Sequence, residues 1–93
     1  MNSLKIDTAI RSFAKQNHMG QGSFALKNGT RVCVLANPKT ELFHIFQIRD
    51  EKLVGLMGGR GHNAMSNIID KFKPHANLDD IYKAFEHSFH AVV

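Results

Sequence analysis

The chain has 93 residues, 43% of them hydrophobic and 22% charged, a balance that argues against global disorder and supplies apolar mass for one core. Its formal charge of +4 is uneven: residues 1–40 carry Lys5, Arg11, Lys15, Lys27, Arg31 and Lys39 against Asp7 alone, whereas residues 41–93 are close to balance. No run approaches the ~20 apolar residues of a membrane span, and the lone Cys33 rules out an internal disulfide.

The start MNSLKIDTAIRS lacks the apolar core and cleavage site of a signal peptide. The expectation is therefore a cytoplasmic protein with one α+β domain over 1–93. Seven Phe and no Trp imply a core built on phenylalanine. At this size such a core leaves little spare stability, so help from a partner fits the composition.

Ser3 is placed to cap a helix from Leu4, with Ile6, Ala9, Ile10 and Phe13 on its inner face. Asp7 in its first turn and Lys15 near its last suit the macrodipole. Gly20 is the expected stop, and Gly20-Gln21-Gly22 a flexible link. Asn28-Gly29 then predicts a hairpin between a strand at Phe24 and one at Arg31 to Leu35, because both turn residues tolerate positive φ. Cys33 lies in that apolar second strand and reads as a buried thiol.

Asn37-Pro38-Lys39-Thr40 predicts a second turn, with Pro38 at its first corner. Glu41 to Arg49 is a third strand. Leu42, His44, Phe46 and Ile48 share one face; Phe43, Ile45, Gln47 and Arg49 share the other. Both faces are apolar near the middle, which predicts a central strand covered on both sides. Asp50-Glu51 turns the chain into a fourth strand that ends at Met57.

Gly58-Gly59-Arg60-Gly61-His62-Asn63 then predicts a loop, followed by a helix from Ala64 to Phe72 capped by Asn63. Met65, Ile68, Ile69 and Phe72 form its apolar stripe, and Pro74 ends it. Asn77 caps a last helix with Asp79 and Asp80 in its first turn and Leu78, Ile81, Tyr82, Phe85, Phe89 and Val92 as its apolar face. The fold expected is an N-terminal helix, a four-stranded antiparallel meander and two C-terminal helices packed on the sheet.

The glycine segment is the most pointed functional candidate. It lacks the lysine and hydroxyl of a Walker loop, and Gly59-Arg60-Gly61 is only the opening of a dinucleotide fingerprint, so a nucleotide cofactor is not expected. What it offers is a backbone nest with donors Arg60 and His62, suited to a carboxylate or phosphate on a partner. His87 and His90 stand three apart on the last helix, short of the three or four ligands zinc requires. His44, His62 and the serines form no recognisable nucleophile–base–acid set, so neither a metal nor catalysis is expected. Stacking of RNA bases on Phe24, Phe43 and Phe46 competes with the need for those rings in the core.

The helix–strands–helix order, with Gly59-Arg60-Gly61 before the second helix, resembles double-stranded RNA-binding domains from about Leu4 to Phe72. That resemblance implies phosphate contacts from the second helix, where the family carries lysines and this chain has His62-Asn63-Ala64-Met65-Ser66-Asn67. The run from Ile10 to Gly59 is similar in pattern to the first half of type III secretion chaperones, which are longer and acidic.

The function expected is that of a small non-enzymatic binding protein, an inhibitor, adaptor or regulator, docking on a larger protein or nucleoprotein with an acidic surface. Gly59, Arg60, Gly61, His62 and Asn63 would make the contact, and Lys27, Arg31 and Lys39 would steer the encounter. The alternatives are direct RNA or DNA binding through the basic half, and a secretion-chaperone-like role. The apolar run Phe89 to Val93 is available to pack inward or to bridge to a second copy as a homodimer.

Overall fold

The computed structural model describes residues 3–90, with side chains from residue 5 onward. The chain forms α1 (Ser3–Gln16), β1 (Gly20–Ala25), β2 (Arg31–Ala36), β3 (Leu42–Arg49), β4 (Lys52–Arg60), α2 (Gly61–Phe72), a short 3-10 turn (Lys73–His75) and α3 (Leu78–His90). The strands make one antiparallel sheet in the order β1-β2-β3-β4. This is the α+β arrangement that the sequence predicts.

The sheet carries a core on each face. On one side α2 and α3 bury Ile69, Phe72, Ile81, Ala84 and Phe85 against Phe24, Val32, Val34, Phe43 and Ile45. On the other, α1 sets Ile10 and Ala14 over Met19, Cys33, Leu35 and Ile48. β3 feeds both cores, with Phe43 and Ile45 facing α2 and α3 and Ile48 facing α1. Its doubly apolar pattern marks it as central, as expected.

Where the elements begin and end differs from expectation in several places. α1 does not run to a glycine stop. His18 adopts φ 56, the Met19 N–H donates to the Ala14 carbonyl (2.8 Å) and the His18 N–H to that of Lys15 (3.4 Å). That is a Schellman ending with histidine in the left-handed position. Gly20-Gln21-Gly22 is accordingly no link but the start of β1. A Cβ on Gly22 would stand 2.0 Å from the carbonyl oxygen of Ala84, so this strand needs glycine for α3 to lie on it. Asp7 lies beyond the first turn of α1 and pairs with Arg31.

At the first hairpin only Gly29, not Asn28, has positive φ (92). The Gly29 N–H donates to the Leu26 carbonyl (3.0 Å), and Asn28 turns its side chain back to accept from the Thr30 N–H (2.9 Å). Asn37 likewise accepts from the Lys39 N–H (2.9 Å) and organises the turn around Pro38. Asp50 and Glu51 take φ 53 and 62, the sign pattern of a type I′ turn made without glycine.

In the C-terminal part, Asn77 caps α3 by accepting from the Asp80 N–H (3.2 Å), as expected. The buried face of α3 is Ile81, Ala84, Phe85 and Ser88, with the Ser88 hydroxyl donating to the Phe85 carbonyl (2.8 Å). Leu78 and Tyr82, expected inside, are exposed. Val92 and the end of the apolar C-terminal run lie outside the described residues.

The main correction concerns the glycine segment. It is not a loop: Gly58, Gly59 and Arg60 continue β4 and pair with His44, Phe43 and Leu42. α2 starts at once with Gly61 at φ 87, so its N-cap is Arg60, and Asn63 lies inside the helix. A Cβ on Gly59 would press on Ala64 at 2.9 Å and on the Phe43 ring at 3.2 Å. The glycine is there so that β4 can turn into a helix that folds straight back over the sheet.

Candidate functional site

The residues singled out in the sequence do not converge. Arg60, Gly61 and His62 stand at the end of the sheet that also carries the Asn37–Glu41 turn and so Lys39; the Gly61 N–H donates to the Glu41 carbonyl (3.1 Å). Lys27 stands in the opposite turn, where its N–H donates to the His75 carbonyl (2.8 Å). The six residues of β2 separate Lys27 from Lys39, roughly 20 Å of strand. Arg31 is half-buried and held by Asp7 of α1, a bond that raises its pKa further, and its Nη1 lies 3.6 Å from Cys33 Sγ. Arg60 is exposed and, among the described residues, makes no ion pair. His62 points to a different place, a cleft of about 520 Å³ between α2 and α3 floored by Met65, Ile69 and Phe85.

A second concavity is defined by its lack of polarity. Along one side of α1, Ile6, Ala9 and Phe13 overlook His44 and Phe46 of β3 and Leu53 and Leu56 of β4, around a groove of about 430 Å³. The helical stripe from Ile6 to Phe13 was expected to face the core. It divides instead: Ile10 is buried, while Ala9 and Phe13 border the groove. The Phe13 ring meets His44 edge-on at 5.4 Å and Phe46 at 6.3 Å between centroids. These contacts fix the groove's inner wall.

Its floor continues outward without cover. Leu56 is 61% exposed, Leu53 51%, Val54 50% and Phe13 37%. The cause is topological. Ile10 and Ala14 pack on Cys33 and Leu35 of β2 and Ile48 of β3, and β4 is the last strand of the sheet, where the side chains of Leu53 and Leu56 stay largely uncovered. β4 also bends. Gly55 pairs with Gln47 and Leu53 with Ile48, which leaves Val54 as the extra residue of a bulge.

Leu53, Val54 and Leu56 carried no functional weight in the sequence, where a short apolar run reads as buried strand. The available signal was the position of that run, as the last strand of a meander. Among the described residues, no three His, Cys, Asp or Glu side chains stand close enough together to hold a metal ion. No helix among them is long and apolar enough to cross a membrane.

No protein-family model, curated protein or solved structure matches the chain.

Proposed function

We propose that the protein is a small non-enzymatic binding module that docks on a larger protein through the groove between α1 and β4. The observation that carries this is the contiguity of Phe13, Phe46, Leu53 and Leu56 around one open groove. An isolated exposed leucine needs no explanation, but a grouped apolar surface on a domain this small is costly to leave in water.

Its lining is almost wholly hydrocarbon, with His44 as the one polar side chain. That favours a protein segment bearing apolar side chains over a polyanion. The cations also favour protein over nucleic acid, because Lys27 and Lys39 occupy opposite ends of the sheet and Arg31 is engaged by Asp7. Phosphate binding gains its strength from many cations along one track. Arg60 and Lys39 lie toward one end of the sheet and would supply polar contacts at the margin.

The decisive variant is Ala9→Glu. Ala9 is exposed, borders the groove and sits on a helix, so glutamate there leaves the fold intact and places a charge in the groove mouth. Affinity capture followed by mass spectrometry, then titration with the purified partner, should show binding reduced about tenfold or more with Tm unchanged. Arg60→Ala should have a smaller effect. Full binding by Ala9→Glu with loss in Arg60→Ala would move the site to the Arg60 end of β4. Capture of nucleic acid, with affinity falling steeply as salt is raised, would replace the proposal by the nucleic-acid alternative.

A further inference from the structure

We infer that β1 accepts an extended segment of another protein as a fifth, antiparallel strand, seated in the cleft between β1 and α3.

β1 is an edge strand, paired with β2 alone. The first hairpin fixes which way its backbone groups point. The Leu26 N–H donates to the Thr30 carbonyl (2.8 Å), so Leu26 turns its groups toward β2. In an antiparallel ladder alternate residues do this. Phe24 and Gly22 therefore bond inward, and Ala25, Ser23 and Gln21 present their N–H and C=O groups outward. Among the described residues, no backbone group of another element meets those of Gln21, Ser23 or Ala25. The result is a row of donors and acceptors at every second residue, a spacing that an extended backbone matches and a helix does not.

Sheet edges are ordinarily blunted by charge, proline, a bulge or a covering element. β4 has such a device in the bulge at Val54. β1 has no charged residue and no proline, and its register with β2 runs unbroken from the Gly20/Ala36 pair to the Ala25/Arg31 pair. α3 lies on the face of β1 and leaves space beside it. A cleft of about 450 Å³ opens there, between residues 21–24 and the side chains of Asp80, Lys83 and His87 on α3.

The cleft also states what the added strand should carry. Phe24 faces the core beneath α2 and α3, and Gly22 faces Ala84. Side chains alternate between the faces of a sheet, so the added residues opposite Gly22 and Phe24 point toward α3. Lys83 stands there between Asp80 and His87, exposed and, among the described residues, in no ion pair. An acidic side chain opposite Lys83 completes the fit. Residues opposite Gln21, Ser23 and Ala25 turn to the other face, where those three side chains are exposed and impose no selection. Main-chain bonds then supply affinity, and the alternate side chains beneath α3 supply specificity. This surface lies at the opposite edge of the sheet from the groove between α1 and β4 and does not depend on it.

A random peptide library displayed on phage and selected against the purified full chain supplies the probe. Selected peptides should be enriched in Asp and Glu, and Lys83→Glu should weaken them. Ser23→Pro removes an outward N–H without touching the ladder to β2 and should weaken binding about tenfold or more, whereas Ser23→Ala, which keeps that N–H, should not. N-methylation of the peptide at every second residue should abolish binding, and N-methylation at the residues between should be tolerated. Should Ser23→Pro fold poorly, the wild-type chain gives its own readout. On adding peptide, amide hydrogen exchange should slow at Gln21, Ser23 and Ala25, while Gly22 and Phe24, already bonded to β2, change little.

A selection that yields no binder would overturn the inference. So would a peptide that binds Ser23→Pro as tightly as wild type and leaves these amides exchanging freely. If such a peptide is lost in Ala9→Glu, it sits in the groove of the docking proposal instead, so the two proposals fail separately. Protection of the same amides in the free chain, growing with its concentration, would assign the edge to a second copy and defeat the inference equally.

Discussion

The two edges of the sheet are finished in opposite ways. β1 lies beneath α3, so close that Gly22 has no room for a methyl group beside Ala84. β4 at the other edge carries three leucine and valine side chains at half exposure or more. Both strands contain glycine, and the glycines mean different things. At Gly22 the missing side chain lets a helix lie directly on the face of the strand. On β4, Gly58 and Gly59 accommodate β3 and α2, where a Cβ would meet the Phe43 carbonyl at 2.7 Å or Ala64 at 2.9 Å, while the outer side of the strand stays open. Apolar surface at β1 is used for folding; at β4 much of it is not.

That difference is measurable, and the largest effect should appear on the covered side. Gly22→Val must displace the backbone of α3, not the tip of a flexible side chain, and should cost about 3 kcal/mol or more in denaturant unfolding. Leu56→Ala on the open side should change stability by no more than about 0.5 kcal/mol under conditions that keep the chain monomeric. If the two losses were similar, the apolar surface of β4 would belong to the fold, and the argument for an external partner would fail with it.

The sequence was most informative where periodicity was long. The face of β3, the stripe of α2 and the cap at Asn77 were all legible, because each rests on local spacing that tertiary contacts reinforce. The glycine segment was misread because glycine marks two things alike, a bend in the chain and the close approach of another element. Only the placement of α2 over Gly59 separates them. Phe13 was assigned to the core on correct helical spacing; the stripe is simply wider than the surface available to cover it. The groove was not legible at all, since it depends on where α1 crosses the sheet, which no residue pattern specifies.

A smaller effect sharpens the picture at the β3–β4 turn, where the edge hairpin is closed without glycine. Asp50 and Glu51 both occupy positive φ, a conformation that disfavours side chains with a Cβ by about 1–2 kcal/mol per residue. Glu51→Gly should remove that strain, offset in part by the greater freedom of glycine in the unfolded chain, for a net gain of roughly 1 kcal/mol. Thermal unfolding would measure it. A loss of stability would mean that the Glu51 side chain makes a contact that outweighs its backbone cost.

The smallest effect belongs to the covered half of the α1 face. Cys33 lies beneath α1, and burial pushes its thiol pKa upward, an effect the Arg31 guanidinium partly opposes and Asp7 reinforces. Below the ordinary thiol range, about pH 8.5, folded and unfolded chains both hold the proton and this group adds no pH dependence. Above it the unfolded chain releases its proton first, so stability falls as pH rises toward the higher folded value. Every other group is common to wild type and Cys33→Ala and cancels in the difference between the two. Wild type should therefore be the more stable protein at neutral pH, by the side chain it buries, and its advantage in Tm should shrink steadily into the alkaline range. A constant gap would mean that the thiol is as well solvated in the folded protein as in the unfolded chain, and that α1 does not seal the half of the sheet face on which it sits.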